Sequence, residues 1–532
     1  MINKIFIILL FYSISIAQTI DKGYNRIRND FYNYTPQIID NSRDEEELND
    51  FIQTVMTNNL IPGVSVSIVK NEHIVWQNHF GYANIDENIL VNENTLFMLA
   101  SVSKTITATA LMQLFENGLF DIDDDINVYL PFSVSHPDFL NAPITFKMLL
   151  SHTSGIKDNW DVMPYYNGDS NLDLGYYLEQ YLTIGGEFYG NNSSFTNSMP
   201  GSSYNYSNIG AALIGLLVEV ISNQTFNSYC NENIFDPLEM HDSFWFLSEI
   251  DDLNQIAIPY VSTGGAGYVD DCSGDGDCCL ESWIGDGYPD CEDQQWDCDL
   301  SCYDNDGDDC EDNGNEAYCG DNFCNGDENY ITCPDDCSDN TCSDTFLVEY
   351  MHYGYSDYPS GQLRTTSNNL AKFMAAYINN GTYNGTRILE TETIELIKSI
   401  QYPNINNQQG IIWYYKILNG RNLLGHNGGD VGVSTEMFFS VSDNIGVIIL
   451  SNASNYNALI DIENAVFDFA EETNFIPIGD LNLDNIVNIL DLIYLVNIIL
   501  GENEFSELAD LNGDQQIDIL DVIYLLQIIL YE

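Results

Sequence analysis

The chain reads as a mixed α/β (α+β) protein, and three observations carry that reading. Apolar residues alternate over 62–69 and 73–80, and again around 433–441 with 445–450, as expected of antiparallel strand pairs. Apolar residues recur at helical spacing over 104–115, 211–221 and 458–471. Near the end, a pattern of Asp and Asn occurs twice, each copy followed by a short apolar helix.

The totals bound what the chain can be. At 532 residues it has room for two or three domains and a large core. Its 81 acidic residues against 15 basic ones leave a formal charge of −66, which excludes nucleic acid as a natural partner because a phosphate backbone would be repelled. Such a charge suits a salty or calcium-rich medium that screens or titrates it. Residues 1–17 read as a secretory signal: Lys4, an apolar run over 5–11, then Ser15-Ile16-Ala17 before Gln18. The run is too short to anchor the chain across a bilayer, so a secreted, extracellular or periplasmic product is expected, with no transmembrane segment after signal removal. Twelve of the 13 cysteines lie between Cys272 and Cys342, a density expected of disulfides in an oxidising compartment. Cys230 stands apart and reads as a free, packed thiol.

Taken in order, residues 18–42 are polar and read as an arm or linker. A helix is expected over 43–58, with Asp and Glu in its first turn. After the first strand pair comes the string around which the chain is organised, Ser101-Val102-Ser103-Lys104, entering a helix that ends at Gly118. A spacing of three residues is about one helical turn, so the Lys104 amine can touch the Ser101 hydroxyl. A serine at a helix start also has free backbone N–H groups beside it, as an attacking nucleophile needs.

Three further strings follow. In the 144–155 segment, His152 and Ser154 read as side chains tying down a loop beneath the site rather than as members of a triad. The 201–210 segment presents Tyr206 and Asn208 just before an apolar helix, a place from which a phenol and an amide can enter a cleft. The 423–432 segment carries His426, Gly428 and Gly429, and the glycines let a substrate approach the strand edge.

Four strings, Ser101-Val102-Ser103-Lys104, Leu149 to Gly155, Tyr206-Ser207-Asn208 and His426-Asn427-Gly428, resemble in order and spacing the serine β-lactamase and penicillin-binding-protein family, in its class C-like branch. The 237–240 and 358–366 strings support it, and the resemblance runs from about residue 43 to 472 outside one insertion. It implies a β-lactamase/transpeptidase-like antiparallel sheet flanked by helices, with a helical subdomain and the site between them. It also implies an acyl-enzyme on Ser101, a proton relay through Lys104, and Tyr206 as base in phenolate form. Asn208 and His426 would hold substrate, and Gly428 and Gly429 would flank the oxyanion. Many β-lactamases carry lysine where this chain has His426, which is mostly neutral above its ordinary pKa of about 6.5. That departure favours D-aminoacyl peptidases and carboxylesterases of the same family, acting on a small ester or peptide without a catalytic cofactor.

The insertion, 264–345, separates the hydrolase into 43–263 and 346–473 and contains no Lys or Arg. Its first part is similar to the Notch-type cysteine-rich repeat, which implies disulfides and one calcium ion, with Asp290, Asp306 and Asp309 as ligands. Cys319 to Cys337 reads as a second small cystine-rich piece. Calcium with disulfides is favoured over zinc, because carboxylates abound and paired C-x₂-C ligands are lacking.

Residues 479–532 hold a duplication at an offset of 510 − 480 = 30 residues. Asp480, Asn482, Asp484, Asn488 and Asp491 recur as Asp510, Asn512, Asp514, Asp518 and Asp521. Oxygen ligands at loop positions 1, 3, 5, 9 and 12 make a calcium loop. The pattern closely resembles the type I dockerin, which implies structural calcium and a cohesin-type scaffold as partner. The pairs Ile489-Leu490 and Ile519-Leu520 stand where such modules often carry small hydroxyls. The expected whole is thus a tethered serine hydrolase, the competing class being an inactive penicillin-binding-like domain used for calcium-dependent adhesion.

Overall fold

The computed structural model describes residues 38–41, 45–190, 193–264, 345–475, 479–484, 487–503, 506–512 and 516–531, with short stretches of the insertion (268–270, 272, 278–286, 288–291, 298–301, 303–307, 309–310 and 342). The signal, most of the arm, Asp514 and the 319–337 cystine-rich piece lie outside the described residues.

Helix α1 (Glu45–Asn58) opens with three glutamates against the helix dipole and leads into strands β1 (Gly63–Lys70), β2 (His73–Asn84) and β3 (Ile89–Leu90). Helices α2 (Ser103–Glu116), α3 (Asn208–Ser222) and α4 (Ser367–Ile378) follow. Strands β4 (Tyr414–Leu418), β5 (Arg421–Asp430), β6 (Val433–Ser440) and β7 (Ile445–Ser451), then helix α5 (Tyr456–Glu472), complete the main domain. The seven strands form one antiparallel sheet in the order β4-β5-β6-β7-β1-β2-β3. Early and late strands meet at β7–β1, where Ile449 pairs with Val66.

The period of two sorts the sheet into two cores. Val64, Val66, Ile68, Val447 and Ile449 join Leu48, Ile52, Leu459 and Ile462 of α1 and α5 in one buried cluster. Val69, Met437, Phe439, Ile448 and Leu450 face the other way, into the larger cluster that includes α2, α3 and α4. Ser65 and Ser67, polar positions that alternation alone would place in solvent, are buried on that second face. They are satisfied there: Ser65 donates to Ser367 at the start of α4, 2.7 Å away, and Gln77 donates to Ser67 at 2.9 Å.

Helix α2 is buried along its whole length from Ser103 to Leu114. Its threonines are core residues with partners: Thr107 donates to Pro359 O at 2.7 Å, and Thr109 shares a 2.6 Å bond with the Tyr377 hydroxyl. This helix is therefore the rod on which the helical subdomain is assembled.

The ends of the insertion pair with each other. Strand Tyr260–Thr263 runs antiparallel to Phe346–Glu349, with Thr263 opposite Phe346, so the extra chain leaves and returns at one point. Cys278 is joined to Cys342, Cys279 to Cys298 and Cys291 to Cys310. Cys230 is a buried free thiol, raised from its ordinary pKa by that burial. In the insertion, Asp306 is fully buried and its carboxylate accepts the backbone N–H groups of Asp290 (2.8 Å) and Gly285 (3.4 Å). Asp290 is raised by burial and by the nearby Asp306, Asp286 and Asp309. Among the described residues of the whole chain, the C-terminal loops included, no three Asp, Glu, His or Cys side chains gather around one ion-sized space. Asp306 turns its oxygens onto the backbone between Gly285 and Asp290, as Asp491 does in the C-terminal loop.

A strand at Ile38–Asn41, in what the sequence reads as arm, pairs with Thr473–Phe475 and ties the start of the main domain to its end. Beyond it, helices α6 (Ile489–Ile499) and α7 (Ile519–Tyr531) share a small core of Leu481, Leu495, Ile498, Leu511, Leu525 and Ile528. Among the described residues no single helix is long and apolar enough to cross a membrane.

Candidate active site

Ser101 sits in a short 3-10 turn, Ala100–Val102, that runs directly into α2. Two hydrogen bonds and one backbone angle define that turn. Leu99 N–H donates to Leu363 O at 2.8 Å, the Thr435 hydroxyl of β6 donates to Leu99 O at 2.8 Å, and Ala100 takes φ of 46°, an uncommon angle for a residue with a side chain. Gly428 of β5 lies against the same turn, and a side chain there would collide with Leu99 O and Thr435 Oγ1. At Gly429 a side chain would meet nothing, since the position opens onto a cleft.

Lys104 is almost wholly buried one turn along α2. Its Nζ donates to Ser101 Oγ at 3.0 Å, to Asn208 Oδ1 at 2.7 Å and to Ser360 O at 2.6 Å. Three donors meet three acceptors, so the ammonium is saturated. Burial lowers its pKa to about 8, against the partial support of Asp158, Asp357 and Asp430.

Tyr206 precedes α3, and its hydroxyl is hydrogen-bonded to Ser101. The Lys104 Nζ lies 5.0 Å from the centre of its ring. One part of the ring remains open to the cleft, leaving the residue 36% exposed. Its pKa is nonetheless raised, mainly because the hydroxyl is desolvated, with Asp158 adding to the rise and the Ser101 bond opposing it. The resting group is a phenol, which corrects the expectation of a phenolate: an amine that is itself desolvated and shared among three acceptors does not offset the loss of hydration.

Residues that the sequence did not single out hold this arrangement. Asp158 caps α3, its carboxylate accepting the Ser207 hydroxyl (2.9 Å) and the N–H groups of Asn208 (2.8 Å) and Ile209 (3.1 Å). Asp357, buried and raised to about 6, accepts the Ser360 hydroxyl at 2.8 Å and so steadies the carbonyl that Lys104 uses. Asp430, also raised by burial, accepts the Tyr165 hydroxyl at 2.7 Å. Neither Asp158 nor Asp357 lies in a string with a recognisable local signal; each reaches the site only through tertiary packing.

His152 lies beneath the site, as its reading as a loop anchor expects. Its Nδ1 accepts the Ser207 N–H at 3.3 Å and its ring centre is 4.4 Å from that of Tyr206. His426 is buried on β5, opposite Met437. Burial and the Lys104 charge lower its pKa to about 3, so it is neutral throughout the working range. The cleft in front of Ser101 has a volume of about 390 Å³. Tyr206, His426 and Gly429 form its back, with Tyr204, Tyr414 and the 406–409 segment completing the wall.

In the C-terminal loops, Asp480 Oδ1 and Asn482 Oδ1 both accept the Asp484 N–H, at 3.1 and 2.9 Å, so two oxygens face one point. Asp491 is fully buried and holds the loop closed, accepting from Leu481, Asn482 and Asn488. Asp521 does the same for Leu511, Asn512 and Asp518 in the second copy. The described donors, including Asp510, are all oxygens, which suits a hard cation such as calcium.

The Beta-lactamase family profile matches residues 48–466, and the Dockerin type I domain profile matches residues 478–530. Dockerin type I domains bind calcium. The Protein flp of Staphylococcus aureus (strain MRSA252) is 27% identical over 203 residues, which is 38% of this chain and 38% of that protein. The matched stretch therefore spans well under half the length of these curated relatives. The octameric penicillin-binding protein homologue from Pyrococcus abyssi superposes with a TM-score of 0.53 at 19% identity, over 80% of this chain and 78% of that one. The D-amino acid amidase from Ochrobactrum anthropi SV3 gives a TM-score of 0.53 at 17% identity, over 80% and 98%. Shared strings, a shared fold and a profile covering most of the chain agree: the chain belongs to the beta-lactamase family and carries a dockerin type I domain after it.

Proposed function

We propose that this chain is an exported serine hydrolase that cleaves an ester or amide through an acyl-enzyme on Ser101. The observation that carries the reading is a shared serine: the Lys104 amine lies 3.0 Å from Ser101 Oγ while the Tyr206 hydroxyl bonds the same residue. A lysine lowered to about 8 has a useful neutral fraction near neutrality. In that form Lys104 takes the Ser101 proton as the serine oxygen bonds the carbonyl carbon. Tyr206, a phenol at rest, gives its proton to the leaving heteroatom and is recharged from Lys104. Water then attacks the acyl-enzyme by the reverse route. Asn208 holds Lys104 in place, and the oxyanion is assigned to the backbone N–H groups of Ser101 and Gly429, flanked by Gly428. Removing one such donor typically costs about 10²–10³ in rate.

The test is a fluorophosphonate probe read by intact mass and peptide mapping. We expect one adduct, on Ser101, absent from Ser101→Ala. A folded protein that takes up no probe would replace this reading with a calcium-dependent adhesion module.

For the C-terminal domain we propose calcium held by Asp480, Asn482, Asp484, Asn488 and Asp491, and by Asp510, Asn512, Asp514, Asp518 and Asp521, docking the enzyme onto a cohesin-type scaffold. Calcium would supply counter-charge to carboxylates that are otherwise buried, as Asp480 and Asp491 are. Chelation with EDTA should make the 478–530 region protease-sensitive while the hydrolase survives, and added calcium should restore protection. Equal digestion with and without calcium would remove the metal from this account.

A further inference from the structure

No described residue that lines the cleft in front of Ser101 is an acid, a lysine or an arginine. Among the described residues its wall is made of amides and phenols: Asn406, Gln408, Gln409 and Asn427, with Tyr204 and Tyr414. These are already linked, the Tyr414 hydroxyl donating to Asn427 at 2.8 Å and that of Tyr204 to Gln409 at 3.3 Å. The cation at the base, Lys104, has its three donors on Ser101, Asn208 and Ser360, and none is left for a substrate carboxylate. The nearest acids are likewise engaged: Asp158 with the start of α3, Asp357 with Ser360 and Asp430 with Tyr165. None of them lines the cleft, so a substrate ammonium finds no counter-ion either.

Resting on the serine-hydrolase reading above, we propose that the substrate is a neutral acyl donor, bearing neither carboxylate nor ammonium on its acyl part, recognised by amide and phenol hydrogen bonds. A charged acyl chain entering this cleft loses hydration without gaining a partner, whereas a neutral one loses little. His426, uncharged in the working range, is consistent with the same selection. The selection is thus by exclusion of charge, and it separates a neutral-ester or neutral-amide hydrolase from an enzyme that reads a free α-amino group.

The full-length protein is assayed in 1 M NaCl with p-nitrophenyl hexanoate, p-nitrophenyl hydrogen adipate and p-nitrophenyl 6-aminohexanoate. At that salt the screening length falls to about 3 Å, which removes the field of the −66 chain and leaves only contacts in the cleft. We expect kcat/KM for the neutral ester to exceed both charged ones by about 30-fold. A ratio below about 10 for either, in protein whose Ser101 still reacts with fluorophosphonate, overturns the proposal and leaves the serine hydrolase standing. No reaction with the probe overturns both. As a second arm, Gln408→Lys places a free ammonium at the cleft mouth and should narrow the hexanoate-to-adipate ratio about tenfold. An unchanged ratio would remove Gln408 from the recognition wall and overturn the assignment.

Discussion

Replacing Lys104 with methionine is expected to slow acylation of Ser101 by about 10³-fold, with the hydrolase domain still folded. Methionine is close in volume and needs no hydration, so the buried site accepts it more readily than a smaller residue. What is lost is the proton acceptor 3.0 Å from Ser101 Oγ and the cation that binds Asn208 and Ser360. The pH profile distinguishes this from loss of structure. In the parent, acylation by a fluorophosphonate should rise through pH 8, as the amine with its lowered pKa of about 8 loses its proton. In the variant that limb should vanish and the residual rate be flat. The same shift has a sign in stability. Between about pH 8 and the free-lysine value of about 10.4, the unfolded chain binds this proton and the folded chain does not. Stability from Lys104 therefore increases with pH across that window, and the variant should lack the increase. A variant that keeps both the rate and its basic limb would show that Lys104 is only a structural cation.

The site was legible where chemistry is encoded locally. A serine and a lysine one turn apart, a Tyr-x-Asn before a helix and a His-x-Gly on a strand each name their own residues, and the fold brings all three to one cleft. What supports them was not legible. Asp158 and Asp357 sit in strings with no pattern of their own, and their roles exist only because α3 and the 357–360 turn meet at Lys104. The amide wall at 406–409 has the composition of an ordinary loop until it is seen across from Ser101. Electrostatic expectation failed at Tyr206 for a related reason. Proximity to an ammonium is visible in a motif, but the desolvation that outweighs it depends on everything packed around the hydroxyl. The sheet shows the same division. Alternation located β1, yet Ser65 and Ser67 are buried because α4, far away in sequence, covers their face. The insertion could be placed from composition, while the paired stem that makes it tolerable is a tertiary feature.

The largest expected effect on stability lies away from the cleft, at Lys416→Met. Lys416 reaches from β4 to two carboxylates whose side chains are wholly buried, Glu436 of β6 at 2.8 Å and Glu463 of α5 at 2.7 Å. Its ammonium also lies 3.6 Å from the centre of the Phe438 ring. Each glutamate has one oxygen, Oε1, with no partner. Both are raised above the ordinary carboxylate range by burial, Glu436 also by repulsion from Glu463, and Lys416 pulls against that rise. Such a triad contributes little net stability when complete, but breaking it leaves acids buried with nothing to offset their charge. Loss of one partner of a buried pair costs about 3–5 kcal/mol. Lys416→Met should therefore lower the urea midpoint of the hydrolase by that equivalent near neutral pH. The sign with pH follows from the raised acids. The folded state holds their protons at pH values where the unfolded chain has released them, so stability falls as pH rises beyond the ordinary carboxylate range. Without the lysine the fall should be steeper, and most of the loss should return at pH 4, where both states are protonated. Adding Glu436→Gln and Glu463→Leu removes the stranded acids, and the triple variant should regain much of the stability at neutral pH. An equal loss at pH 4 and pH 8 would mean that methionine fails by packing, and the buried triad would then not be what joins α5 to the sheet.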